Sequence, residues 1–247
     1  MTDFAFLHGG GQGGWVWAET IAALERQSGG TARCLALDAP GCGIKRGRDT
    51  SGIAHEDIAP ELVGDIVAAG FGDVVLVGHS QAGMELPPMA ALRPDLFRRL
   101  VFVTCSAPLP GKTTLEQMGT GVHGANAEEV GWPVDPATTT MAERFRVMFC
   151  NDMAPADADA FRARLGGDMW PMSCYFYSNW QRDHLRDMPV SYVRCERDQS
   201  LPPAWQDRFA ERLHADRVVS LDAGHQAMNT RPEELAAILL AEAALPA

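Results

Sequence analysis

The sequence predicts an α/β domain whose mostly parallel, doubly wound sheet carries helices on both faces and one helical insertion. Three observations predict this fold class. The chain has 247 residues, of which 46% are hydrophobic, enough for one sizeable core. Short apolar runs alternate with amphipathic stretches, which is typical of repeated β–α units. A single long segment, residues 112–188, interrupts this alternation.

Six short runs rich in Val, Ile, Leu and Phe predict strands. They are residues 3–8, 34–38, 73–78, 99–105, 190–195 and 217–221. The third run contains four consecutive apolar residues at 74–77, a continuity that favours a strand covered on both faces. We therefore expect these strands to form a parallel sheet.

Four amphipathic stretches predict the helices that pack on this sheet. They are residues 17–27, 56–69, 202–214 and 232–244. The last follows Thr230 and begins with Pro232 and two glutamates, a combination that is common at helix starts. Pro87 and Pro88 follow the third strand closely, so we expect a short or kinked helix there.

Residues 112–188 show no strand pattern, but they contain helical stretches at 141–151 and 156–165 and many aromatic side chains. Long interruptions of α/β folds are usually lids or binding elements. We therefore expect an α/β core made of residues 1–111 and 189–247, with residues 112–188 as a helical cap over one end of the sheet.

Composition restricts the partners and the compartment. With 21 basic and 32 acidic residues the formal net charge is −11, which disfavours nucleic acid and anionic membranes. The start of the chain lacks a basic region followed by a long apolar run, so we expect a cytoplasmic protein. Six cysteines without a C-x-x-C pair predict reduced, packed thiols: Cys34, Cys42, Cys105, Cys150, Cys174 and Cys195.

The hexapeptide GHSQAG at 78–83 carries the strongest chemical signal, because it follows an apolar strand directly. A serine at a sharp strand-to-helix turn needs small neighbours, and the helix start places backbone N–H groups beside its hydroxyl. This pattern predicts Ser80 as a nucleophile. The alternative is a glycine turn that contains a serine by chance.

A glycine-rich loop follows the first strand at residues 9–14. Glycines let backbone N–H groups approach a developing oxyanion, so Gly10 and Gln81 are the candidate donors. The same loop formally matches G-x-G-x-x-G, which leaves a dinucleotide site with Asp38 as an alternative. Residues 111–113 resemble the end of a P-loop, but Ser106 stands where that motif needs glycine.

A serine nucleophile needs a base and an acid that orients it. Of the seven histidines, His225 lies between the last strand and the last helix, where a loop reaches the carboxyl edge of the sheet. His8 and His79 lie in glycine turns, where we expect bonds to backbone. The other four histidines, His55, His123, His184 and His214, are expected at the surface or in caps. Asp198 follows the fifth strand, with Glu196 and Asp222 as alternatives, so the predicted order is Ser, Asp, His.

These motifs resemble the α/β-hydrolase superfamily. More narrowly, the chain is similar to the compact group of methyl-ester esterases, hydroxynitrile lyases and pyrethroid-type carboxylesterases. The likeness rests on the loop at 8–17, the tetrapeptide DAPG at 38–41, GHSQAG at 78–83, Asp198 and the pair at 224–225. The resemblance implies cofactor-free ester hydrolysis through an acyl-enzyme. It also implies Ser80, Asp198 and His225 as the triad.

The resemblance further implies hydrolysis rather than cyanohydrin cleavage, since the lysine that follows the triad acid in the lyases is Gln199 here. We expect small to medium hydrophobic esters as substrates, xenobiotic esters of pyrethroid type among them. The candidate substrate-binding residues are Gly9, Trp132, Met148, Phe149, Trp170 and Tyr175. Half or more of these aromatic residues could instead form the packing core of the cap.

Other functions of the same fold stay open at this point. A lyase, a thioesterase or a lactonase would use the same triad, and a ligand receptor could retain it without turnover. We expect no metal and no cofactor. As partners we expect only a small hydrophobic ester, with no nucleic acid and no membrane, and a homodimer stays open.

Overall fold

A computed structural model describes residues 1–246 and contains one six-stranded parallel sheet in the order β2-β1-β3-β4-β5-β6. The strands are β1 Thr2–Leu7, β2 Ala32–Leu37, β3 Val74–His79, β4 Phe97–Val103, β5 Val190–Cys195 and β6 Arg217–Leu221. The prediction of an α/β fold with a parallel sheet is therefore confirmed. The predicted strand ends differ from these by at most two residues.

Of the helices outside residues 112–188, four lie between strands and two follow β6. They are α1 Ala18–Gln27, α2 Ile58–Ala68, α3 Leu86–Leu92, α8 Pro203–Arg212, α9 Ala227–Thr230 and α10 Pro232–Ala243. Residues 112–188 supply α4 Thr114–Met118, α5 Met141–Cys150, α6 Pro155–Arg164 and α7 Ser173–Phe176. Short 3-10 helices cover Gly14–Trp17, Gly43–Lys45, His55–Asp57, Ser80–Met84 and Asp183–Asp187.

The two faces of the sheet are covered by two separate apolar cores, which follows from the alternation of side chains along each strand. In β3, Leu76 packs in one core with Leu62 of α2 and with α8. Val75 and Val77 point to the opposite face, where α1 and α10 pack against each other. All six residues of β3 are buried, as the uninterrupted apolar run predicts.

The segment of residues 112–188 is irregular apart from its four helices and one isolated bridge between Val122 and Trp132. Its helices contribute to both cores: Phe161 of α6 packs with the α1–α10 face, and Cys174 of α7 packs with the α2–α8 face. Its description as a separate cap stays a prediction.

The chain after β3 forms a 3-10 helix, Ser80–Met84, followed by the seven-residue helix α3. Pro87 and Pro88 lie in the first turn of α3, where a missing N–H is tolerated. The short helix expected from the two prolines is present. All six cysteines are free thiols and five are buried. No helix within residues 1–246 has both the length and the apolar character needed to cross a membrane.

Candidate active site

Ser80 stands at the turn between β3 and the helix that follows, with φ of 53°. Non-glycine residues rarely adopt this left-handed conformation, so the surrounding structure must impose it. Its neighbours leave no room for larger residues: a Cβ on Gly78 would lie 2.7 Å from Leu86, and one on Gly83 would lie 2.8 Å from Cys105. The small residues of the GHSQAG motif are therefore required by the tight turn.

His225 lies directly beside this serine. Its Nε2 atom is 3.0 Å from Ser80 Oγ, and its Nδ1 atom is 2.7 Å from Asp198 Oδ2. The histidine and the aspartate are both buried, at 0% and 1% exposure. With Nδ1 as the donor to the carboxylate, Nε2 carries the lone pair that can accept the serine proton. The structure thus brings the three predicted residues into one hydrogen-bonded chain.

Asp198 is held by donors on both carboxylate oxygens. Oδ1 accepts from the backbone N–H groups of Ser200 and Leu201, at 2.6 and 2.9 Å. Oδ2 accepts from His225 and from the hydroxyl of Thr104. These four bonds fix the orientation of the carboxylate. The sequence does not indicate Thr104, because nothing in its position after β4 signals a contact with a residue that follows β5.

The two alternative acids bind elsewhere. Glu196 Oε1 accepts from Arg194 at 2.8 Å, and Asp222 Oδ1 is paired with Arg197 at the same distance. The side chains of Glu196 and Asp222 are 33% and 78% exposed, and within residues 1–246 neither bonds to His225. The geometry therefore favours Asp198 as the partner of the histidine.

The glycine loop runs past the serine at close range. A Cβ on Gly9 would lie 3.0 Å from Ser80 Cβ and 2.8 Å from His79 Nδ1, and one on Gly10 would lie 2.5 Å from Gln81 Oε1. Only glycine lets the backbone come so near the nucleophile. Gly10 and Gln81, the predicted oxyanion donors, line the same cavity as Ser80.

Asp38, the acidic residue of the dinucleotide alternative, is engaged by the protein. Its Oδ1 accepts from the backbone N–H of Gly14 at 2.6 Å, and its Oδ2 accepts from that of Ile44 at 3.1 Å. A dinucleotide site would need this carboxylate free for a ribose hydroxyl. Here the Asp38 carboxylate joins the glycine loop to the residues that follow β2 through these two bonds.

His8 and His79 are buried and bind backbone groups, as predicted. His8 accepts from Ala39 N–H at 3.2 Å through Nε2 and contacts Gly9 O through Nδ1 at 2.8 Å. His79 Nε2 lies 2.9 Å from the carbonyl oxygen of His225. Burial lowers the pKa of both imidazoles, that of His79 well below its ordinary value. Both rings are therefore neutral supports of the site.

A cavity of about 530 Å³ opens above Ser80. Its walls are mostly apolar and include the predicted Trp132, Met148, Phe149 and Tyr175, together with Leu115, Met118, Phe145 and Met169. Phe149 lies 5.5 Å from the ring of His225. Burial raises the pKa of Tyr175 to about 12, so its hydroxyl stays protonated. Residues 112–188 thus supply much of the cavity wall.

Two of the expected substrate-binding residues do not line this cavity. Trp170 is completely buried, its indole N–H donates to Gly9 O at 3.1 Å, and its ring packs edge-on against His8. Gly9 lies beneath Ser80 and His79, as its close contacts show. The expectation that Trp170 and Gly9 line the substrate cavity is therefore corrected. Trp170 instead supports the glycine loop through its bond to Gly9 O.

One cluster of metal-ligating side chains lies within the described chain, formed by His55, Glu85 and Cys174. None of the three lines the cavity above Ser80. His55 was expected at the surface or in a cap, but the structure buries it to 5% exposure. Its aromatic neighbours Tyr177 and Trp180, which follow in residues 112–188, account for this burial.

A family model described as "Alpha/beta hydrolase family" matches residues 4–238. Probable esterase PIR7A of Oryza sativa is 35% identical over 118 residues, and this match spans 46% of the chain but only 44% of the rice protein. Polyneuridine aldehyde esterase of Rauvolfia serpentina is 25% identical over 96% of the chain and 94% of its own length.

Solved structures agree in fold. A pyrethroid hydrolase from Sphingobium faniae superposes with a TM-score of 0.76 and 24% identity, over 99% of this chain and 98% of that one. At this level of identity the similarity concerns the fold, and it extends over nearly the full described length.

Proposed function

The chain belongs to the alpha/beta hydrolase family, and from this premise we propose that it is a serine carboxylic-ester hydrolase that works through an acyl-enzyme. One observation carries the proposal: His225 bridges Ser80 Oγ and Asp198 Oδ2, at 3.0 and 2.7 Å, at the floor of an apolar cavity. The esterase names of the relatives support the same reaction class.

In the first step Ser80 Oγ attacks the ester carbonyl carbon while its proton passes to His225 Nε2. The carbonyl π electrons move to the oxygen, which becomes the oxyanion of a tetrahedral intermediate. As the intermediate collapses, His225 returns the proton to the departing alkoxide, and the alcohol leaves. Ser80 is then acylated.

In the second step a water molecule takes the place of the serine. His225 Nε2 accepts a proton from the water as its oxygen attacks the acyl carbon, and the proton then returns to Ser80 Oγ when the carboxylic acid is released. Asp198 stabilises the imidazolium formed in both steps through its bond to Nδ1. Thr104, Ser200 and Leu201 keep that carboxylate in place.

The oxyanion would be stabilised by the backbone N–H groups of Gly10 and Gln81, which flank Ser80 at the cavity floor. Donors of this kind contribute most when they are fixed before the charge develops. Gly10 and Gln81 meet that condition, because the close packing of the glycine loop on Gln81 leaves the loop little freedom. Trp170 adds a hydrogen bond to Gly9 O from the other side.

The cavity supports small to medium hydrophobic esters as the substrate class. Its volume of about 530 Å³ lies within the roughly 300–1,000 Å³ typical of small-molecule sites. Aromatic and methionine side chains form most of the wall, and within residues 1–246 the only charged residue that lines it is Asp168. That carboxylate is itself bound to Arg46 and Trp15. An uncharged acyl or alcohol group therefore suits this site better than an ionic one.

The test is hydrolysis of a series of p-nitrophenyl esters of increasing chain length by wild type and Ser80→Ala, with a phosphonate label located by mass spectrometry. We expect the substitution to lower kcat by about 10⁴–10⁶-fold. We also expect the label on Ser80 in wild type. Ser106→Ala is the matched control, since Ser106 lines the same cavity without a bond to His225 and should still give label on Ser80.

The outcomes separate the candidate reactions. Loss of turnover in Ser80→Ala, together with a label on Ser80 in wild type, supports the proposal. The ester chain length that is hydrolysed fastest then indicates the size of group that the cavity accepts. Labelling of Ser80 without turnover of any ester would contradict ester hydrolysis and favour a lyase or a receptor. A label on another residue would contradict the assignment of the nucleophile.

A further inference from the structure

Three side chains with metal-binding groups meet in the interior, away from the lining of the cavity above Ser80. His55 belongs to the 3-10 helix before α2, Glu85 stands between the turn after Ser80 and α3, and Cys174 lies in α7. All three are buried, at 5%, 1% and 0% exposure. The cluster therefore joins two parts of the core to the segment of residues 112–188.

The donor atoms are close enough to share one ion. His55 Nδ1 is 3.0 Å and Cys174 Sγ is 3.8 Å from Glu85 Oε1, and all the ligand atoms lie within 4.8 Å of one another. Tetrahedral Zn²⁺ with bonds of about 2.0–2.3 Å separates its ligands by about 3.3–3.8 Å. Small side-chain adjustments would bring the three atoms to those separations.

The hydrogen bonding of the cluster is incomplete without an ion. His55 Nδ1 and Glu85 Oε2 are buried without a hydrogen-bond partner in the described chain. Glu85 Oε1 is the contacted oxygen of the pair: His55 Nδ1 lies 3.0 Å from it as an ion-pair contact, and the Cys174 thiol donates to it. Among residues 1–246, no lysine or arginine pairs with the Glu85 carboxylate. Buried carboxylates without such partners are costly, which is the situation that a bound cation relieves.

The surroundings are those of a supported ligand site. The ring of Tyr177 packs against His55 with centroids 3.9 Å apart and the planes tilted by 31°, and Trp180 packs against it edge-on at 5.3 Å. These two contacts on different sides restrict the rotation of the imidazole. His55 also lines a separate cavity of about 390 Å³, together with Pro87 and His184, through which an ion could enter.

We propose that His55, Glu85 and Cys174 form a binding site for a divalent transition metal, Zn²⁺ in particular. Mixed sulfur, nitrogen and oxygen donors in a tetrahedral arrangement suit Zn²⁺ better than Mg²⁺ or Ca²⁺, which prefer oxygen ligands alone. A water molecule or the second oxygen of Glu85 completes the coordination. The ion ties α7, and with it the adjacent cavity residue Tyr175, to the core.

The test uses Co²⁺ as a spectroscopic probe on the full chain, after dialysis against a chelator. We expect one Co²⁺ per chain, with a thiolate-to-cobalt charge-transfer band in the near ultraviolet that Zn²⁺ abolishes by displacement. Cys174→Ser should remove this band and weaken Zn²⁺ binding by at least about 10–100-fold. Cys150→Ser is the matched control, a buried cysteine outside the cluster, and should keep both.

A thermal measurement provides the second readout. Zn²⁺ at about a hundredfold excess over its Kd should raise the Tm of wild type by about 5–10 °C and leave that of Cys174→Ser nearly unchanged. The proposal is overturned if wild type shows no thiolate band, or if Cys174→Ser keeps the band. Neither readout uses ester hydrolysis, so this result is independent of the proposed activity.

Discussion

Asp198 contributes to the site through its two distinct oxygens. Oδ2 accepts from His225 Nδ1 and Thr104, while Oδ1 accepts from two backbone N–H groups. All four partners are donors, so both oxygen positions of residue 198 must be acceptors, as they are in a carboxylate. An asparagine would place an NH₂ group against one of these donors and favour the wrong tautomer of the imidazole.

Asp198→Asn is accordingly expected to lower kcat for p-nitrophenyl ester hydrolysis by about 10⁴-fold, with the fold unchanged. Glu196→Gln is the control, because the Glu196–Arg194 pair is partly exposed and exposed pairs contribute at most about 1 kcal/mol. We expect it to change kcat by less than tenfold, about 1.4 kcal/mol in activation free energy. A large loss in Glu196→Gln with a small one in Asp198→Asn would move the acid role to Glu196.

Connections between elements depend on a second carboxylate, Asp168, which precedes α7. Its oxygens accept from the indole of Trp15 at 2.9 Å and from the backbone N–H of Gly43 at 2.8 Å, and they form a two-bond pair with Arg46. The side chain of Asp168 is fully buried. One residue of the 112–188 segment thus holds the loops after β1 and β2 together.

Asp168→Ala should lower the free energy of unfolding by about 1–3 kcal/mol, since it leaves the partly buried N–H groups of Trp15 and Gly43 without their acceptor. Urea denaturation monitored by circular dichroism measures this change. Asp159→Ala is the control: Asp159 is an exposed residue of α6 that pairs with Arg146 of α5 and Arg162 of α6, and its loss should change the free energy of unfolding by less than about 0.5 kcal/mol. Equal effects of the two substitutions would show that Asp168 has no special anchoring role.

The elements themselves could be predicted well, because their apolar patterns are local. All six strands lie within two residues of their predicted ends, and the helices α1, α2, α8 and α10 follow their amphipathic stretches. The short helices α4 and α7 have too few residues for a periodic pattern to show. The burial of His55 depends on Tyr177 and Trp180, which approach it only in three dimensions.

The site combines residues from the ends of four strands, which parallel topology brings to one edge. Gly9 follows β1, Ser80 follows β3, Asp198 follows β5 and His225 follows β6. Leu7 of β1 stands opposite Gly78 of β3, so the two loops leave the sheet side by side. This part could be predicted from motif order and strand order. The positions of Thr104 and Trp170 could not, because they depend on packing between segments that are distant in sequence.

The pH dependence of stability should reflect the two buried neutral histidines. Burial lowers the pKa of His8 and His79 below the ordinary value of 6.5. At acidic pH the unfolded chain therefore binds protons at these two positions that the folded chain does not bind. Stability is then complete above pH 6.5 and falls as the pH drops below it. Each such histidine contributes a slope of up to about 1.4 kcal/mol per pH unit.

We therefore expect the free energy of unfolding, measured by urea denaturation, to decrease from about pH 7 to about pH 5 more steeply in wild type than in His79→Gln. Gln is the informative replacement, because its amide can donate to His225 O as His79 Nε2 does, yet it takes up no proton. The comparison uses the slope and not the absolute stability, so a general loss of stability in the variant does not affect it. Identical slopes would contradict the prediction, because they would mean that His79 is protonated as easily in the folded as in the unfolded chain. Protonation in the folded chain is unfavourable because His79 is completely buried against His225 and Trp17.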